Sequence, residues 1–455
     1  MNERPAGSTA NVSLASSSAR TSSLHEALLR ELQQLQQSTT SYPAIVSVSL
    51  PDLDPWQWLS ANEGQTRVAW SDRCSATVAA GVGVASKVEL APGDEASQCV
   101  TACRKQLGND PRLRFFGGLS FDGRVNWDGF GAGTFVLPRF QLSEGELTLV
   151  VMHGGDFEQA RTDLSELVLD GKSIVDTLPT PIRKTYSPSF DGWQSRIDEA
   201  LSLIRSEVLE KIVLSRQTKL EFAESLDPLA LAQRLKQTTH DCFVFCYDLG
   251  QQSAFVGATP EQLFLREGRQ LKSEVVAGTR MRSENATEDE RLAIELLTSD
   301  KDQREHDIVR KSIRQKLHKF VDHLQVDNQA SILRLARKQH LRSHVEGTLK
   351  ANVSDAMLLD RLHPTPAVGG YPTENALPEI ARIEPFSRGW YAAPVGWIGA
   401  ESAQFAVAIR SGLVQGKTMS LFSGAGIVRG SDPHEEWQEV ENKIQDFLSV
   451  LGPSV

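Results

Sequence analysis

The chain has 455 residues, of which 40% are hydrophobic and 23% are charged, and its formal net charge is −10. This composition is ordinary for a globular protein. The acidic balance argues against nucleic acid as the main partner, because phosphate backbones are bound by basic surfaces. No apolar run approaches the roughly 18 residues that a membrane-spanning helix needs. Since the N-terminus also lacks the apolar core of a secretory signal, we expect no membrane partner and a cytoplasmic location.

The cysteines indicate a reducing compartment. Five is an odd and low number for this length, and the residues are Cys74, Cys99, Cys103, Cys242 and Cys246. The two close pairs are spaced CxxxC, unlike the CxxC of zinc and redox sites. We therefore expect buried, reduced thiols and no metal bound by cysteine.

The first half of the chain predicts a tail, a helix and a series of strands. Residues 1 to 23 are rich in Ser, Ala and Thr, which predicts a disordered tail; a transit peptide is a weaker alternative, because the segment is short and carries Glu3. LHEALLRELQQLQQ follows as an amphipathic helix. From about 43 to 180, short apolar runs between Gly, Asp and Pro predict strands; they include AIVSVSL, TRVAW, RFFGGLSF, GTFVLPRFQL and ELTLVVM.

The second half alternates blocks of strands and helices. SRIDEALSLIRSEVLE predicts a helix and KIVLSRQTKL a strand, and four further runs from DCFVFCYDL to RQLKSEVVAG predict an antiparallel meander. Two helices between about 287 and 323 precede the strands APVGWIG, QFAVAIRSGLV and TMSLFSGAGIV, and a helix from about 433 to 450 closes the chain. Blocks of this kind, without regular βαβ units, predict an α+β fold with large antiparallel sheets.

RLHPTPAVGGYP, residues 361 to 372, combines stiff and permissive backbone. Its prolines fix φ, whereas the paired glycines allow positive φ and close approach of a ligand. The pattern is typical of a loop that shapes a pocket, and equally of a plain surface turn.

Two helices offer carboxylates. In the closing helix, Asp432 and Pro433 form a capping pattern, and Glu436, Glu439 and Lys443 share one face beside the apolar stripe. Glu305 lies in SDKDQREHDIV on a second helix. Carboxylates from two helices would suit Mg²⁺, but the alternatives are a solvated Glu–Lys pair and a surface carboxylate.

Other charged or flexible groups stand at strand ends. FSGAGIV, residues 422 to 428, is a Gly-rich segment whose N–H groups are suited to an anion, although it matches no nucleotide-binding motif. Arg410 ends the predicted strand FAVAIR and could clamp a carboxylate in bidentate fashion. Lys211 opens KIVLSR and Glu261 follows GATP, and the two would supply a base and an acid for one reaction.

Taken in order, these motifs resemble those of the chorismate-utilising enzymes, which include isochorismate, salicylate, anthranilate and aminodeoxychorismate synthases. The resemblance is dense over residues 195 to 450 and looser at FFGGLSFD and FVLPR. It implies a large α+β fold with two orthogonally packed antiparallel sheets and helices outside. In this fold residues 24–190 would form an N-terminal β-rich part and residues 191–455 the chorismate-binding catalytic part.

Within that family the residues favour water as the nucleophile. Lys211 matches the lysine of water-using members, where ammonia-using anthranilate synthases carry Gln. Ala277 stands where aminodeoxychorismate synthases carry a nucleophilic Lys, so we expect no glutaminase subunit. Ala367 and Ile409 resemble the isochorismate synthase forms. Tyr391 resembles the aromatic of the lyases equally well, so a salicylate synthase that also eliminates pyruvate remains open, as does a non-catalytic chorismate-binding module.

The resemblance also implies roles for the remaining residues. Lys211 would activate water for attack at C2 of chorismate, and Glu261 would protonate the departing C4 hydroxyl. Glu305 and Glu439, with Glu436 through water, would hold Mg²⁺. Substrate contacts are expected from His344, Arg410, Gly278, Thr279, Ala367, Tyr391, Gly424, Gly426 and Lys443. We expect a monomer; the sequence does not decide between menaquinone, siderophore and salicylate synthesis as the destination of the product.

Overall fold

The computed structural model describes residues 9–10, 17–73, 77–91, 94–123, 127, 129–174, 177–250 and 252–452. The strands of these residues, in chain order, are β1 (Thr9–Ala10), β2 (Ala44–Ser49), β3 (Arg67–Ser71), β4 (Val78–Val82), β5 (Ser86–Glu89), β6 (Arg114–Leu119), β7 (Gly133–Leu137), β8 (Phe140–Ser143), β9 (Glu146–Val151), β10 (Pro181–Ser187), β11 (Lys211–Phe222), β12 (Phe243–Asp248), β13 (Ser253–Thr259), β14 (Gln262–Glu267), β15 (Gln270–Met281), β16 (Val321–Val326), β17 (Ser331–Arg334), β18 (Lys338–Leu349), β19 (Gly370–Tyr371), β20 (Pro394–Gly399), β21 (Ser402–Val407), β22 (Ser411–Gln415) and β23 (Thr418–Ile427).

Helices separate these strands in blocks. They are α1 (Ser17–Ser38), α2 (Pro55–Ala61), α3 (Ala96–Leu107), α4 (Phe157–Glu166), α5 (Phe190–Arg205), α6 (Pro228–Thr238), α7 (Ala286–Thr298), α8 (Asp300–Leu317), α9 (Asp355–Leu362), α10 (Thr373–Ile383), α11 (Pro433–Lys443) and α12 (Gln445–Leu451), with a 3₁₀ turn at Gly154–Asp156. None of the helices in the described part of the chain is long and apolar enough to cross a membrane.

The strands form two sheets, and every pairing except β1 with β2 is antiparallel. Sheet A runs β1-β2-β9-β8-β4-β3-β12-β13-β22-β23-β11-β10, with β19 also on β11. Sheet B runs β16-β18-β15-β14-β21-β20-β6-β7-β5, with β17 also on β18. The predicted N-terminal and catalytic parts therefore both contribute strands to both sheets, and the α+β class with large antiparallel sheets is confirmed.

The sheets face one another across a continuous apolar core. Polar groups also join them there: Trp70 on β3 donates its indole N–H to Gln404 Oε1 on β21 at 3.0 Å, and Tyr247 on β12 donates its hydroxyl to the Gly396 carbonyl at 3.1 Å. A second apolar cluster lies between sheet A and helices such as α1, α2, α4 and α6. Sheet A is thus covered on both faces, which explains why its strands read as nearly continuous apolar runs.

The chain crosses between the sheets twice at the same place. Pro260 and Glu261 join β13 of sheet A to β14 of sheet B, and residues 408–410 join β21 of sheet B to β22 of sheet A. The crossings are hydrogen-bonded side by side: the Val407 N–H donates to the Glu261 carbonyl at 3.0 Å, and the Ala258 N–H donates to the Arg410 carbonyl at 2.9 Å. We call this pair of segments the double crossing.

Several sequence predictions need correction at the level of elements. QFAVAIRSGLV is two strands in different sheets, and GTFVLPRFQL is β7 and β8. The closing helix divides at Ile444 into α11 and α12, and the helix predicted to end near residue 210 ends at Arg205.

Some predictions fall partly outside the described residues. α1 begins at Ser17 and β1 spans Thr9–Ala10, inside the predicted tail, while residues 1–8 and 11–16 of that tail lie outside the described part. Four cysteines are buried and free, as expected; Cys74 lies outside the described residues.

Candidate active site

One cavity of about 400 Å³ lies beside the double crossing and between helices α8 and α11. It is lined by residues from both sheets and both helices. Most of the predicted site residues are among them: Glu261, Gly278, Thr279, Glu305, Ala367, Tyr391, Arg410, Gly424, Gly426, Glu436, Glu439 and Lys443. The structure therefore brings together groups that are up to 182 positions apart in the sequence, from Glu261 to Lys443.

Lys211 begins β11 and points at the wall of this cavity. Its side chain is fully buried, and its Nζ lies 2.8 Å from Glu305 Oε1 on α8. Gly426, on the neighbouring strand β23, leaves the space that the end of the Lys211 side chain occupies: a Cβ at this position would lie 2.8 Å from Lys211 Cε and 3.2 Å from Glu305 Oε1. The glycine therefore serves close packing of the lysine against the strand.

Glu261 occupies the first segment of the double crossing. The residue is 6% exposed, and burial, together with the nearby Glu274 carboxylate, raises its pKa to about 8, even though Lys211, Arg410 and Lys443 act in the opposite direction. Glu274 itself is held by Arg73 at 2.7 Å and by the Gln262 N–H at 2.9 Å. Glu261 is consequently a neutral carboxylic acid at neutral pH, able to donate a proton into the cavity.

Arg410 occupies the second segment of the double crossing. The prediction that it ends an apolar strand is wrong, because β21 ends at Val407 and the chain then changes sheets. Its backbone is fixed by the Ala258 N–H, and its side chain lines the same cavity as Glu261. The crossing thus places a cation and a neutral acid side by side, which suits an anionic ligand with a group to be protonated.

Helix α11 carries two acids and one cation into the cavity. Asp432 caps the helix by accepting from the His434 and Glu435 N–H groups at 2.9 and 3.0 Å, as predicted. Lys443 Nζ lies 2.5 Å from Glu439 Oε1 and donates to the Gly424 carbonyl at 2.8 Å. Burial raises the pKa of Glu439, but the Lys443 ammonium outweighs it and holds this pKa below its ordinary value.

The charge of Glu436 is balanced less closely by a lysine than the charge of Glu439. It is 2% exposed, and the Lys301 ammonium approaches it only to 3.8 Å. Burial and the neighbouring Glu439 carboxylate raise the pKa of Glu436 to about 7. A buried carboxylate that is repelled by a second, partly exposed carboxylate provides an environment that favours a bound cation.

The Gly-rich segment lies in a strand, and anion binding by its N–H groups stays a prediction. Gly424 and Gly426 lie inside β23, opposite Ser215 and Val213 of β11. Beyond Phe422, β23 has no further pairing with β22, so this end of the strand borders the cavity. A Cβ at Gly424 would lie 3.1 Å from Tyr391 Oη. Both glycines therefore allow close approach of side chains, and Tyr391 also stacks on Phe422 with ring centroids 5.4 Å apart.

Gly278 and Thr279, which were predicted to lie beside the substrate ring, form a β-bulge in β15. The register of β15 against β18 shifts between Ala277 and Thr279, and Gly278 has a φ of +75°, a conformation that glycine adopts readily. A Cβ there would lie 3.2 Å from Asp302 Cβ on α8. Gly278 and Thr279 accordingly line the cavity, as predicted.

The structure does not place His344 in the cavity. Its ring is half exposed and bonds Asp327 through Nδ1 at 2.9 Å. His340, four residues earlier on β18, lines the cavity instead. Its Nδ1 lies 3.1 Å from the Gly278 carbonyl and 3.0 Å from Thr279 Oγ1. Because a carbonyl only accepts, the ring proton belongs on Nδ1, and the buried Nε2, which has no partner among the described residues, is left as an acceptor.

His340 is also a neutral group at working pH. Burial, followed by the nearby Arg410 charge, lowers its pKa to about 3. Sequence reasoning missed this residue, together with Arg280, Lys301 and Asp302 at the same cavity. The pairing of Thr279 with His340 across β15 and β18 is the signal that identifies it, and it requires knowledge of the strand register.

The loop between α9 and β19 shapes the cavity, as predicted. Ala367 and Val368 line it, while His363 is anchored away from it, with Nε2 3.1 Å from the Phe121 carbonyl. Gly370 has a φ of +125°, and a Cβ there would lie 2.5 Å from the Lys211 carbonyl. The permissive glycine therefore allows the loop to pair with the start of β11.

The predicted Mg²⁺ ligands at the cavity are all carboxylates. Among the described residues, no group of three His, Cys, Asp or Glu side chains is arranged as a metal cluster. The available donors are carboxylate oxygens of Glu305, Glu436 and Glu439. Mg²⁺ typically uses one or two carboxylates and completes its shell with water and ligand oxygens, so these donors fit it chemically.

Comparison with known proteins agrees with this site. The sequence pattern of the family described as chorismate binding enzyme matches residues 30–452. The chain belongs to this family. The chorismate-binding fold thus explains the two sheets and the position of the cavity.

Relatives and a solved structure extend the comparison. The chain is 36% identical to isochorismate synthase 2 of Arabidopsis thaliana over 362 residues, which are 75% of this chain and 64% of the relative; the match thus spans less than two thirds of that relative. It is 30% identical to isochorismate synthase MenF of Escherichia coli over 442 residues, 94% of this chain and 99% of the relative. The crystal structure of that MenF, described as menaquinone-specific, superposes with a TM-score of 0.84 and covers 94% of this chain and 100% of its own.

Proposed function

We propose that the protein converts chorismate to isochorismate by adding water at C2 and releasing the C4 hydroxyl. The observation that carries the proposal is the placement of a buried Lys211 against the cavity-lining Glu305, and of Glu261, with its raised pKa, in the wall of the same cavity. An amine that accepts a proton from water and a carboxylic acid that donates one to a leaving hydroxyl are the two groups this isomerisation needs. The names of the Arabidopsis and E. coli relatives support the same reaction.

The bonds and protons of the proposed reaction balance without a further reactant. The oxygen of water forms a bond to C2 as the ring double bonds shift and the C4–O bond breaks. Lys211 takes one proton from the attacking water, and Glu261 gives one proton to the departing hydroxyl, so that a water molecule is consumed and another released. Each such transfer typically contributes about 10²–10⁴-fold to the rate.

The remaining cavity residues are suited to holding a dicarboxylate. Arg410 and Lys443 provide the cations for one carboxylate, with the open end of β23 beside them. The neutral His340 Nε2 can accept a hydrogen bond from a substrate hydroxyl, since its other nitrogen is committed to Gly278 and Thr279. Ala367 and Tyr391 would form the wall beside the ring.

We also propose Mg²⁺ as the cofactor, held by Glu305 and Glu439 with Glu436 through water. When bound, it would neutralise the ring carboxylate of the substrate and the mutual repulsion of the acids. The raised pKa of Glu436 supports this assignment, because the acid lacks a close counter-charge in the protein alone. Since water is the nucleophile, the reaction requires no ammonia-supplying subunit.

The test is to incubate purified protein with chorismate, with and without Mg²⁺, and to separate chorismate, isochorismate and salicylate by chromatography while assaying pyruvate. We expect isochorismate with little pyruvate, and only when Mg²⁺ is present. Equal amounts of salicylate and pyruvate would identify a salicylate synthase instead. Binding of chorismate without any turnover would identify a non-catalytic binding module.

A further inference from the structure

Strand β11, which carries Lys211, lacks a strand neighbour at the point where it meets the cavity. One edge of β11 pairs with β23 along its whole length. On the other edge, β19 pairs only with Lys211 and Ile212, and the pairing of β11 with β10 starts at Gln217 of β11. Within the described residues, 213–216 therefore have no strand on this edge, although all four are buried. Buried backbone groups in such a gap need other partners.

The Val213 N–H donates to the Gly369 carbonyl of the loop at 3.4 Å, and a buried ion pair supplies partners for the Val213 carbonyl and the Ser215 N–H. Glu384 Oε1 accepts from the Ser215 N–H at 2.7 Å, and Arg388 Nη2 donates to the Val213 carbonyl at 2.8 Å. The two side chains are bonded to each other in bidentate geometry, at 2.6 and 2.9 Å, and are only 2% and 3% exposed. The pair thus offers β11 one acceptor and one donor, as an adjacent strand would.

The same arginine also holds the other walls of the cavity. Arg388 Nη1 donates to the Val368 carbonyl in the loop at 2.8 Å, and the Arg388 carbonyl accepts from the Tyr391 N–H at 2.9 Å. Its guanidinium lies 4.2 Å from the centroid of the Phe121 ring. Val213, Val368 and Tyr391 all line the cavity, so Arg388 contacts three parts of its wall, two through its side chain and one through its carbonyl.

We propose that Glu384 and Arg388 are positioning residues that replace the absent neighbour of β11 and so fix Lys211 relative to the loop 365–369. Neither side chain lines the cavity. Arg388 acts through the carbonyls of Val213 and Val368, which do line it, and Glu384 acts through the Ser215 N–H and through Arg388. Lys211 and Val213 lie on the same side of β11 as Ser215, because alternate residues share a face. A shift of β11 at Val213 therefore moves the base. The kinetic part of this inference rests on the proposed function; the structural part does not.

The test compares conservative variants with a matched control. Arg388→Lys keeps the charge but loses the fork that reaches Val213 and Val368 together, and Glu384→Gln keeps an acceptor for the Ser215 N–H. The control is Arg139→Lys, because Arg139 is equally buried in a bidentate pair with Asp156 at 2.6 and 2.7 Å, and none of the residues it bonds lines the cavity. The isochorismate assay is run at a temperature at which circular dichroism shows all variants folded.

We expect Arg388→Lys to lower kcat/KM about 10²-fold, the usual cost of misplacing a reacting group by about 1 Å. The loss should fall mainly on kcat, because Arg410 and Lys443 still bind the substrate. Glu384→Gln should show a smaller loss, and Arg139→Lys none. Unchanged kinetics in Arg388→Lys, or an equal loss in Arg139→Lys, would overturn the proposal.

Hydrogen exchange gives a second readout that needs no turnover. In Arg388→Lys, the amides of residues 211–217 and 365–369 should exchange faster than in the wild type while the rest of the chain keeps its protection. Arg139→Lys should leave both segments protected. If the wild type does not convert chorismate, the proposed function fails, but faster local exchange still supports the positioning role and unchanged exchange refutes it.

Discussion

Lys211 Nζ on sheet A and Glu305 Oε1 on α8 lie 2.8 Å apart, and this contact joins the proposed base to a proposed metal ligand. The Glu305 carboxylate cannot offer its full charge to Lys211 Nζ and to a divalent cation at the same time. Cation binding and the contact of Lys211 Nζ are therefore coupled through the Glu305 carboxylate. The first three predictions examine the two sides of this contact.

Lys211→Ala should abolish isochorismate formation while chorismate still binds. The side chain is the only proposed base, and loss of general base catalysis typically costs about 10²–10⁴-fold. Turnover is measured by chromatography and binding by calorimetry. Lys219→Ala is the control, because Lys219 is exposed on the same strand and should be neutral. Near-normal turnover by folded Lys211→Ala would remove this residue from the mechanism.

Gly426→Ala should lower activity with little loss of stability. The added Cβ meets Lys211 Cε at 2.8 Å, and the end of a lysine side chain can move aside at small cost, which displaces the base but leaves the strand intact. Activity and the melting temperature are measured together. Gly155→Ala is the control, since its nearest neighbour atom would be 3.5 Å away. An active Gly426→Ala variant would show that the lysine tolerates displacement.

Removal of Mg²⁺ should stop catalysis reversibly. Chelator should abolish turnover, added Mg²⁺ should restore it, and Glu439→Gln should raise the Mg²⁺ concentration needed for half-maximal activity or abolish activity. Glu290→Gln is the control, because Glu290 is an exposed acid on α7 that does not line the cavity and is not a proposed ligand. Calorimetry with Mg²⁺ in the presence of chorismate measures binding directly. Full activity in excess chelator would rule out the metal.

Glu261 should make the protein less stable as pH rises. Its pKa is raised from 4.5 to about 8 in the folded state, so between these values the folded chain holds a proton that the unfolded chain has lost. Stability from this group is complete below the unfolded pKa and is lost as pH rises towards 8. The side chain in Glu261→Gln cannot ionise. The melting temperature of this variant, relative to that of the wild type, should therefore rise between about pH 5 and about pH 8.

The same proton is needed for catalysis. Activity of the wild type should fall as pH rises past the pKa of Glu261, about 8, because the acid is then ionised. Glu261→Gln should be nearly inactive at every pH. A melting-temperature difference that stays constant with pH would contradict the raised pKa, and an active Glu261→Gln variant would contradict the role as acid.

Local signals predicted most of the elements, because each rests on neighbouring residues. The capping of α11 by Asp432 followed from Pro433 and the acids of the first turn, and strands β12 to β15 followed from apolar runs between turns. These four strands do not form the predicted meander, because β12 pairs with β13 in sheet A and β14 pairs with β15 in sheet B. The exchange of sheets within QFAVAIRSGLV gave no such signal. Residues on both sides of Ile409 are buried, so hydrophobicity continues across a point where the backbone changes its hydrogen-bond partners.

The histidines show a second limit. His340 and His344 lie on one strand and, being four residues apart, share its face. Side-chain alternation identifies the face but not how far along the strand the cavity extends. That extent depends on the bulge at Gly278 and on the position of α8, which are long-range features, and so the sequence selected the wrong member of the pair.

Product choice should depend on the wall at Ala367 and Ile409. Pyruvate elimination requires the enolpyruvyl group to fold back over the ring, and a bulkier residue at 367 narrows the cavity in favour of that conformer. Steric selection of this kind is typically worth about 1–3 kcal/mol. Ala367→Thr combined with Ile409→Leu should therefore raise the pyruvate fraction while lowering total turnover, as measured by chromatography with a coupled pyruvate assay.

Each single variant is the control for the double variant. An unchanged pyruvate fraction in all three would show that this wall does not select the conformer. Equal amounts of salicylate and pyruvate from the wild type would instead point to Tyr391, which lies in the same wall and stacks on Phe422.

The double crossing also determines how a substrate reaches the cavity. The hydrogen bonds from Val407 to Glu261 and from Ala258 to Arg410 fasten the sheets together at the inner end, so the sheets cannot part there without breaking them. The outer end is bordered by α8 and α11, where the contact between Lys301 and Glu436 is long, at 3.8 Å. We therefore expect a substrate to enter and leave between these two helices. Its rates of binding and release should change more in variants of Lys301 than in variants of the sheets.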